Sequence, residues 1–417
     1  MGHRGSTALS AGLVIALAAT GCTARAEPAG GATVIRVDKR TALADEPVRV
    51  RIGGLGAGER ITVSSDATDW KGADWEGRAV FRADSAGTVD LTRAQPLSGT
   101  YRKADGMGLF WSMVPPEGDP DEQWFHTDYP SREASFTLRI SVRRADGSET
   151  AQVLTREWMR EGVEMREVTL ADDKVSGSLY LPRSGGPRRA PVLLLGGSDG
   201  GTADDWEAAL LASRGHPTLA LCYFRCPGLP RTLKDIPLEY FVKAVRLLGS
   251  QRGADPAKTA VVGVSRGSEA AQLLAQRYPE LVRDAIAVVP GDRVHGSYPE
   301  GGFAWTQRGK GLEPGEEIPL DRVRGTVLAI GAGDDRLWDS LKSAESIGRK
   351  RGVSGPHRSL LHPDAGHAAG GRPYTPGGIR FVHPVEGEEL DLGGTRALDA
   401  EGRAESWPEI LELIARP

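Results

Sequence analysis

Two kinds of hydrophobic spacing divide the chain. From Thr33 to roughly Ala151, apolar residues alternate with polar ones or sit in short clusters. The segments are Val34–Val37, Val48–Ile52, Ile61–Val63, Ala79–Arg82, Phe136–Val142 and Gln152–Leu154. Turn sequences such as Asp84-Ser85-Ala86-Gly87 and Asp146-Gly147-Ser148 separate them. A period of two buries one face of a strand, and short strands broken by turns predict an antiparallel sandwich. Trp70, Trp75, Trp111 and Trp124 are expected to fill its core and the surface that docks on the next domain.

Residues 157–182 read as a connecting hairpin, and from Ala190 the spacing changes. Pro191–Leu195 is a continuous apolar run, the pattern of a strand buried on both faces of a parallel sheet. Helices are predicted at Trp206–Ser213, Leu238–Leu248, Ser268–Gln276, Asp339–Arg351 and Ser406–Ala415. Strands are predicted at His216–Leu221, Thr259–Val262, Ala285–Val289, Thr326–Ile330 and His357–Leu361. Strand and helix alternating over short links predict a doubly wound α/β domain. The predicted organisation is a β-sandwich over 33–155 and an α/β domain over 156–417.

Residues 1–21 read as an export signal, with His3 and Arg4 followed by the apolar run Ala11–Ala19. That run is too short to span a bilayer. It ends in Ala19-Thr20-Gly21-Cys22, small residues before a cysteine, which resembles a bacterial lipoprotein cleavage site. Cys22 would then carry the lipid and residues 22–32 would be a tether, giving a membrane-anchored protein on the extracytoplasmic face. The competing reading is a plain secretory signal with an incidental cysteine and a soluble product.

Composition narrows the function classes. The formal net charge is -4 with 26% charged residues, so no basic excess points to nucleic acid. Three cysteines are too few for a disulfide scaffold. Cys222 and Cys226 suit either a small-loop disulfide in an oxidising compartment or two free thiols. No cofactor fingerprint and no metal-ligand spacing such as H-E-x-x-H is present.

The candidate chemistry centres on Gly263-Val264-Ser265-Arg266-Gly267, a G-x-S-x-G between a predicted buried strand and a predicted helix. There a serine sits on a sharp turn with its hydroxyl exposed, while the helix N-terminus faces the charge that forms on it. Serine needs a base, and the base needs an orienting acid, in the chain order nucleophile, acid, base. Acid candidates are Asp334 and Asp335, just after the strand Thr326–Ile330, although both could instead cap the helix near Trp338. The base candidate is His367, after the last predicted strand, with His362 as its rival. His126, His216, His295, His357 and His383 fall outside that order and read as structural. Oxyanion donors are expected from the backbone of Arg266 and from Gly197 and Ser198 in the loop Gly196-Gly197-Ser198-Asp199-Gly200-Gly201. A phosphate-binding glycine loop is the weaker reading of that segment.

These motifs and their surroundings resemble the acyl-CoA thioesterase and bile acid-CoA:amino acid N-acyltransferase family. The resemblance is carried by Asp45-Glu46-Pro47, Arg82–Gly87, Met107–Met113, Leu229–Leu233, Leu238–Phe241, Gly263–Glu269, Asp334–Trp338 and Ala365-Gly366-His367. It implies an immunoglobulin-like sandwich followed by an α/β-hydrolase domain. The implied triad is Ser265, Asp335 and His367, the acid being second in D-D-x-x-W. It also implies that a serine nucleophile goes with thioester hydrolysis, where cysteine goes with transfer to an amino acid. Arg266 stands where the family usually has lysine. The expected substrate is a small acyl thioester or ester. Alternatives are transfer to an amine or alcohol acceptor, or a non-catalytic lipoprotein that binds acyl ligands.

Overall fold

A computed structural model of the chain describes residues 1–2, 31–127, 133–299 and 301–416. The export segment, Cys22 and the tether up to residue 30 lie outside the described residues.

Nine strands come first: β1 (Val34–Val37), β2 (Thr41–Leu43), β3 (Val50–Gly53), β4 (Arg60–Thr68), β5 (Asp74–Arg82), β6 (Val89–Asp90), β7 (Ser98–Gly99), β8 (Ser135–Arg143) and β9 (Glu149–Glu157). They form a three-stranded sheet, β1-β3-β6, and a six-stranded sheet, β2-β9-β8-β4-β5-β7. Strict alternation decides the long strands: in β5, Trp75, Gly77, Ala79 and Phe81 point inward while their neighbours face outward. Ile52, Val63, Phe81, Ile140 and Leu154 meet in one core with Trp75 and Trp111. Each such aliphatic side chain, fully buried, contributes about 1.5–3 kcal/mol. Trp70 corrects the expectation for the tryptophans: it is 59% exposed. It carries the Lys71 ammonium 5.3 Å from its ring.

The presumed connecting hairpin is part of the second domain's sheet. This sheet comprises β10 (Glu164–Val168), β11 (Ser176–Leu181), β12 (Val192–Leu195), β13 (Thr218–Cys222), β14 (Ala260–Val264), β15 (Asp284–Val288), β16 (Val327–Ala332) and β17 (Arg358–His362). The order is β10-β11-β13-β12-β14-β15-β16-β17. Only the pairs β10–β11 and β11–β13 are antiparallel. From β13 to β17 every pair is parallel.

The continuous apolar runs serve two faces. Leu193, Leu195, Val261, Ala285 and Ala329 face α2 (Leu238–Gly249), α3 (Arg266–Arg277) and α4 (Ser340–Arg349), which follow α1 (Asp205–Ser213) in the chain. Val192, Leu194, Val262, Ile286 and Ile330 face α1 and α5 (Arg396–Ala415). This is an α/β-hydrolase sheet covered by helices on both sides, behind an N-terminal sandwich that is antiparallel except for the parallel pair β2–β9.

α5 starts well before the expected Ser406. The Thr395 side chain caps it, accepting from the Leu398 N–H at 3.2 Å. Pro408 lies inside it. Packing of Trp407 and Ile410 against the sheet holds the helix together where the proline removes a donor.

Candidate active site

β14 enters the site and α3 leaves it, with Ser265 between them. Its backbone is at φ 52°, ψ -120°, a region that side chains other than glycine rarely occupy. Such a conformation costs roughly 1–3 kcal/mol and persists only where the surroundings enforce it. Here they do. Ser265 N–H donates to the Val288 carbonyl at 3.0 Å, and its own carbonyl accepts from Ser268 N–H at 2.9 Å. A Cβ at Gly263 would run into the Gly267 carbonyl, and one at Gly267 would lie 2.6 Å from the Leu195 carbonyl oxygen. The two flanking glycines are therefore demanded by close backbone approach.

Asp335 and His367 come together from loops after β16 and β17. The His367 ring bonds through Nδ1 to Asp335 Oδ2 at 2.8 Å, with only 9% and 1% of the two side chains exposed. Asp335 Oδ1 accepts from the backbone N–H groups of Leu337 (3.0 Å) and Trp338 (3.3 Å). The capping expectation fails for this residue: the helix starts at Ser340 and Asp339 caps it, while Asp335 braces the turn before it. Asp334 instead accepts from Gly394 N–H at 2.8 Å through its own carboxylate. His362 is turned away: its Nε2 meets Ser406 Oγ at 2.9 Å behind the sheet. His367 N–H donates to the Leu392 carbonyl, and Trp338 packs its ring 6.1 Å from the imidazole.

Ser265 and His367 line one cavity of about 1170 Å³. Among the described residues no direct hydrogen bond joins them, and Nδ1 being engaged by Asp335 leaves Nε2 as the ring nitrogen for the serine. Catalytic hydrogen bonds in empty sites are often long and tighten when substrate binds.

The glycine loop Gly196–Gly201 also lines the cavity. A Cβ on Gly197 would sit 3.3 Å from Ser265 Cβ, so this loop passes directly beside the serine. Its brace was invisible in the sequence. Cys222 and Cys226 form a disulfide, closing a short loop after β13. Inside that loop Tyr223 donates its hydroxyl to the Gly196 carbonyl (2.6 Å) and more weakly to the Gly197 carbonyl (3.3 Å). Gly201 N–H donates to the Phe224 carbonyl at 3.0 Å. Tyr223 follows a predicted strand end, and only the strand exchange in the sheet brings it against the first loop.

Two histidines set aside as structural belong to the neighbourhood. His383 follows strand β18 (Arg380–Val382), which pairs with β19 (Glu389–Asp391), and its Nε2 meets Ser198 Oγ at 3.2 Å. His126 lines the cavity from the sandwich side and packs on Trp206 at 5.3 Å. Burial, with the Arg372 guanidinium adding to it, pushes the His126 ring down to about 4, so it is neutral at physiological pH. His216 and His357 are structural, bonded to the carbonyls of Ala190 and Leu320. His295 pairs with buried Glu269 at 3.0 Å and stacks on Trp338.

Comparison with known proteins follows the same two parts. Residues 45–170 match the family model described as acyl-CoA thioester hydrolase/BAAT N-terminal region, and residues 303–416 match that of the BAAT/acyl-CoA thioester hydrolase C terminus. The chain is 29% identical over 395 residues to acyl-coenzyme A thioesterase 6 of Mus musculus, covering 88% of this chain and 92% of the mouse protein. It is 28% identical over 410 residues to acyl-coenzyme A amino acid N-acyltransferase 1 of Mus musculus, covering 90% and 95%. The solved dienelactone hydrolase of Anabaena variabilis ATCC 29413 is 17% identical, over 61% of this chain and 100% of that one, with a TM-score of 0.37, a likeness too distant to carry an argument. With both halves of the family pattern present in order and together spanning more than half of the residues, the chain belongs to the acyl-CoA thioester hydrolase/BAAT family.

Proposed function

We propose that the protein is a serine hydrolase that cleaves acyl thioesters or related esters through Ser265, His367 and Asp335. The observation that carries this reading is the buried 2.8 Å pair of His367 and Asp335 on the cavity that the strained Ser265 also lines. His367 Nε2 takes the Ser265 proton as Oγ attacks the acyl carbon. Asp335 holds the proton on Nδ1 and stabilises the imidazolium. The oxyanion of the tetrahedral intermediate is met by backbone N–H groups of Arg266 and of the loop at Gly197 and Ser198, at the N-terminal end of α3. Collapse expels the thiol or alcohol with the proton returned from His367. Water, deprotonated by the same ring, then attacks the acyl-enzyme and releases the acid.

Replacing Ser265 with Ala is expected to leave folding intact and reduce turnover of p-nitrophenyl and acyl-CoA substrates by at least about 10³-fold. Full activity in that variant, or no labelling of Ser265 by a fluorophosphonate, overturns the reading. Acyl transfer is the second reading, favoured by the similarity to an N-acyltransferase. Serine at position 265 weighs towards water as the acceptor, and product analysis with added amines separates the two.

We infer as well that the mature chain is exported and anchored by lipid on Cys22. The Cys222–Cys226 disulfide supports an oxidising compartment. Metabolic labelling with a radioactive fatty acid should mark the native chain in the membrane fraction and not a Cys22→Ser variant. Equal recovery of both as unlabelled soluble protein counts against the anchor.

A further inference from the structure

The cavity beside Ser265 is lined by two arginines whose donors are not used up by the protein. Arg403, on α5, is 6% exposed. Its Nε has no hydrogen-bond partner, and its Nη2 reaches only the Thr375 carbonyl, at 3.4 Å. Among the described residues it forms no ion pair. Asp399, one turn earlier, accepts from Gly366 N–H at 2.6 Å through one oxygen and leaves the other unpartnered. Burial pushes that carboxyl up to about 6, so it is an incomplete counter-charge. Arg372 pairs with Asp204 and lies 5.5 and 5.2 Å from the centroids of Trp158 and Trp206, and its Nε too is unpartnered. Burial, then the neighbouring Arg403, pushes Arg372 down to about 9.

An unpartnered nitrogen alone is not peculiar to these two, since Arg156 leaves Nη1 without a partner, but the structural arginines make shorter bonds. Arg156 gives one nitrogen to the carbonyls of Ala44 and Glu46 at 2.9 and 2.7 Å. Arg396 reaches the Met113 carbonyl at 2.6 Å. Arg403 has one long bond and a cavity. Gly377 keeps the place open: a Cβ there would lie 2.9 Å from Arg403 Nη1 and 2.9 Å from the Trp124 ring. A guanidinium out of water with idle donors is destabilising until an acceptor arrives, and its planar fork suits two oxygens at once.

We propose that Arg403, supported by Arg372, binds an oxyanion borne by the substrate, a carboxylate or a phosphate, in the cavity where Ser265 acts. The proposal rests on the hydrolase reading, and a carboxylate source would narrow its substrate class to acyl chains that carry an acid group. A carboxylate would come from the far end of the acyl chain, and a phosphate from the leaving group.

The test compares the p-nitrophenyl hemiester of adipic acid with its neutral methyl ester twin, and adipyl-CoA with the adipyl thioester of N-acetylcysteamine. If the acyl end supplies the anion, the native enzyme prefers the hemiester by about ten- to a hundredfold in kcat/KM. That ratio collapses towards one in Arg403→Gln and is partly kept in Arg403→Lys. If the leaving group supplies it, the preference and its loss appear in the thioester pair instead. No preference in either pair, or a preference that Arg403→Gln leaves unchanged, overturns the proposal. The native measurements decide even where Arg403→Gln does not fold. A binding arm needs no turnover: adipate or inorganic phosphate should raise the melting temperature of the native protein, and dimethyl adipate should not. Binding of an anion without hydrolysis would sink the Ser265 reading and keep the subsite. Hydrolysis of neutral esters with no anion binding would do the reverse.

Discussion

At the scale of single residues, the site depends on where charge is allowed to be. His367 and Asp335 are paired, and the pair is nearly closed to solvent. Glu207, on α1 beneath the same cavity, is 7% exposed and accepts the Arg372 backbone N–H at 2.9 Å. Burial pushes its carboxyl up to about 7 from an ordinary 4.5. The folded state therefore holds this proton more tightly than the unfolded chain does. Stability on this account is lost as pH rises from about 4.5 to about 7, and the full cost remains above that window. Glu207→Gln keeps the acceptor and removes the charge. It should melt higher than the native protein at pH 8, by roughly 1–3 kcal/mol, with the two curves converging below pH 5. A variant that is less stable at pH 8 would show that Glu207 is ionised and well paired after all.

At the scale of elements, loops braced by other loops matter more than the strands that launch them. The Gly196–Gly201 loop is held by Tyr223 and Phe224, and these are held by the Cys222–Cys226 bridge. Cys226→Ser, or reduction, should lower kcat by up to about tenfold, a fraction of what the loss of an oxyanion donor costs. The closed loop is short, so global stability should fall by only about 2 kcal/mol. Unchanged kcat in the reduced enzyme would remove the brace from the account.

The same distinction explains what the sequence disclosed. Ser265, Asp335 and His367 could be named as candidates because glycines, strand ends and chain order mark such positions locally, and the structure brings the last two into contact. The alternating and continuous apolar runs likewise marked the two sheets. Arg403 and Asp399 were missed because the helix was expected only from Ser406, which left the first half of α5 unread. His383 and Tyr223 were missed because their partners, Ser198 and Gly196, are distant in the chain and meet only through tertiary packing. Trp70 was misplaced because bulk and aromaticity cannot tell a core tryptophan from one at a cavity wall.

At the scale of the whole molecule, the sandwich and the hydrolase sheet are tied through buried polar groups. Asp45, its side chain wholly buried, accepts from Trp407 Nε1 at 2.5 Å and from Arg214 at 2.9 Å, joining the first domain to α5 and to the end of α1. Asp45→Ala would strand both donors and should destabilise the protein by about 3–5 kcal/mol, read as a lower denaturant midpoint. A midpoint within experimental scatter of the native value would argue against this tie.

The cavity has walls from both halves, with Trp70, Trp124 and His126 on one side and Ser265, His367 and Arg403 on the other. Both halves of the chain therefore contribute wall to the space beside Ser265. Exchanging residues 33–157 between relatives would recast one wall of that space, with Trp70, Trp124 and His126, while Ser265, His367 and Arg403 stayed where they are.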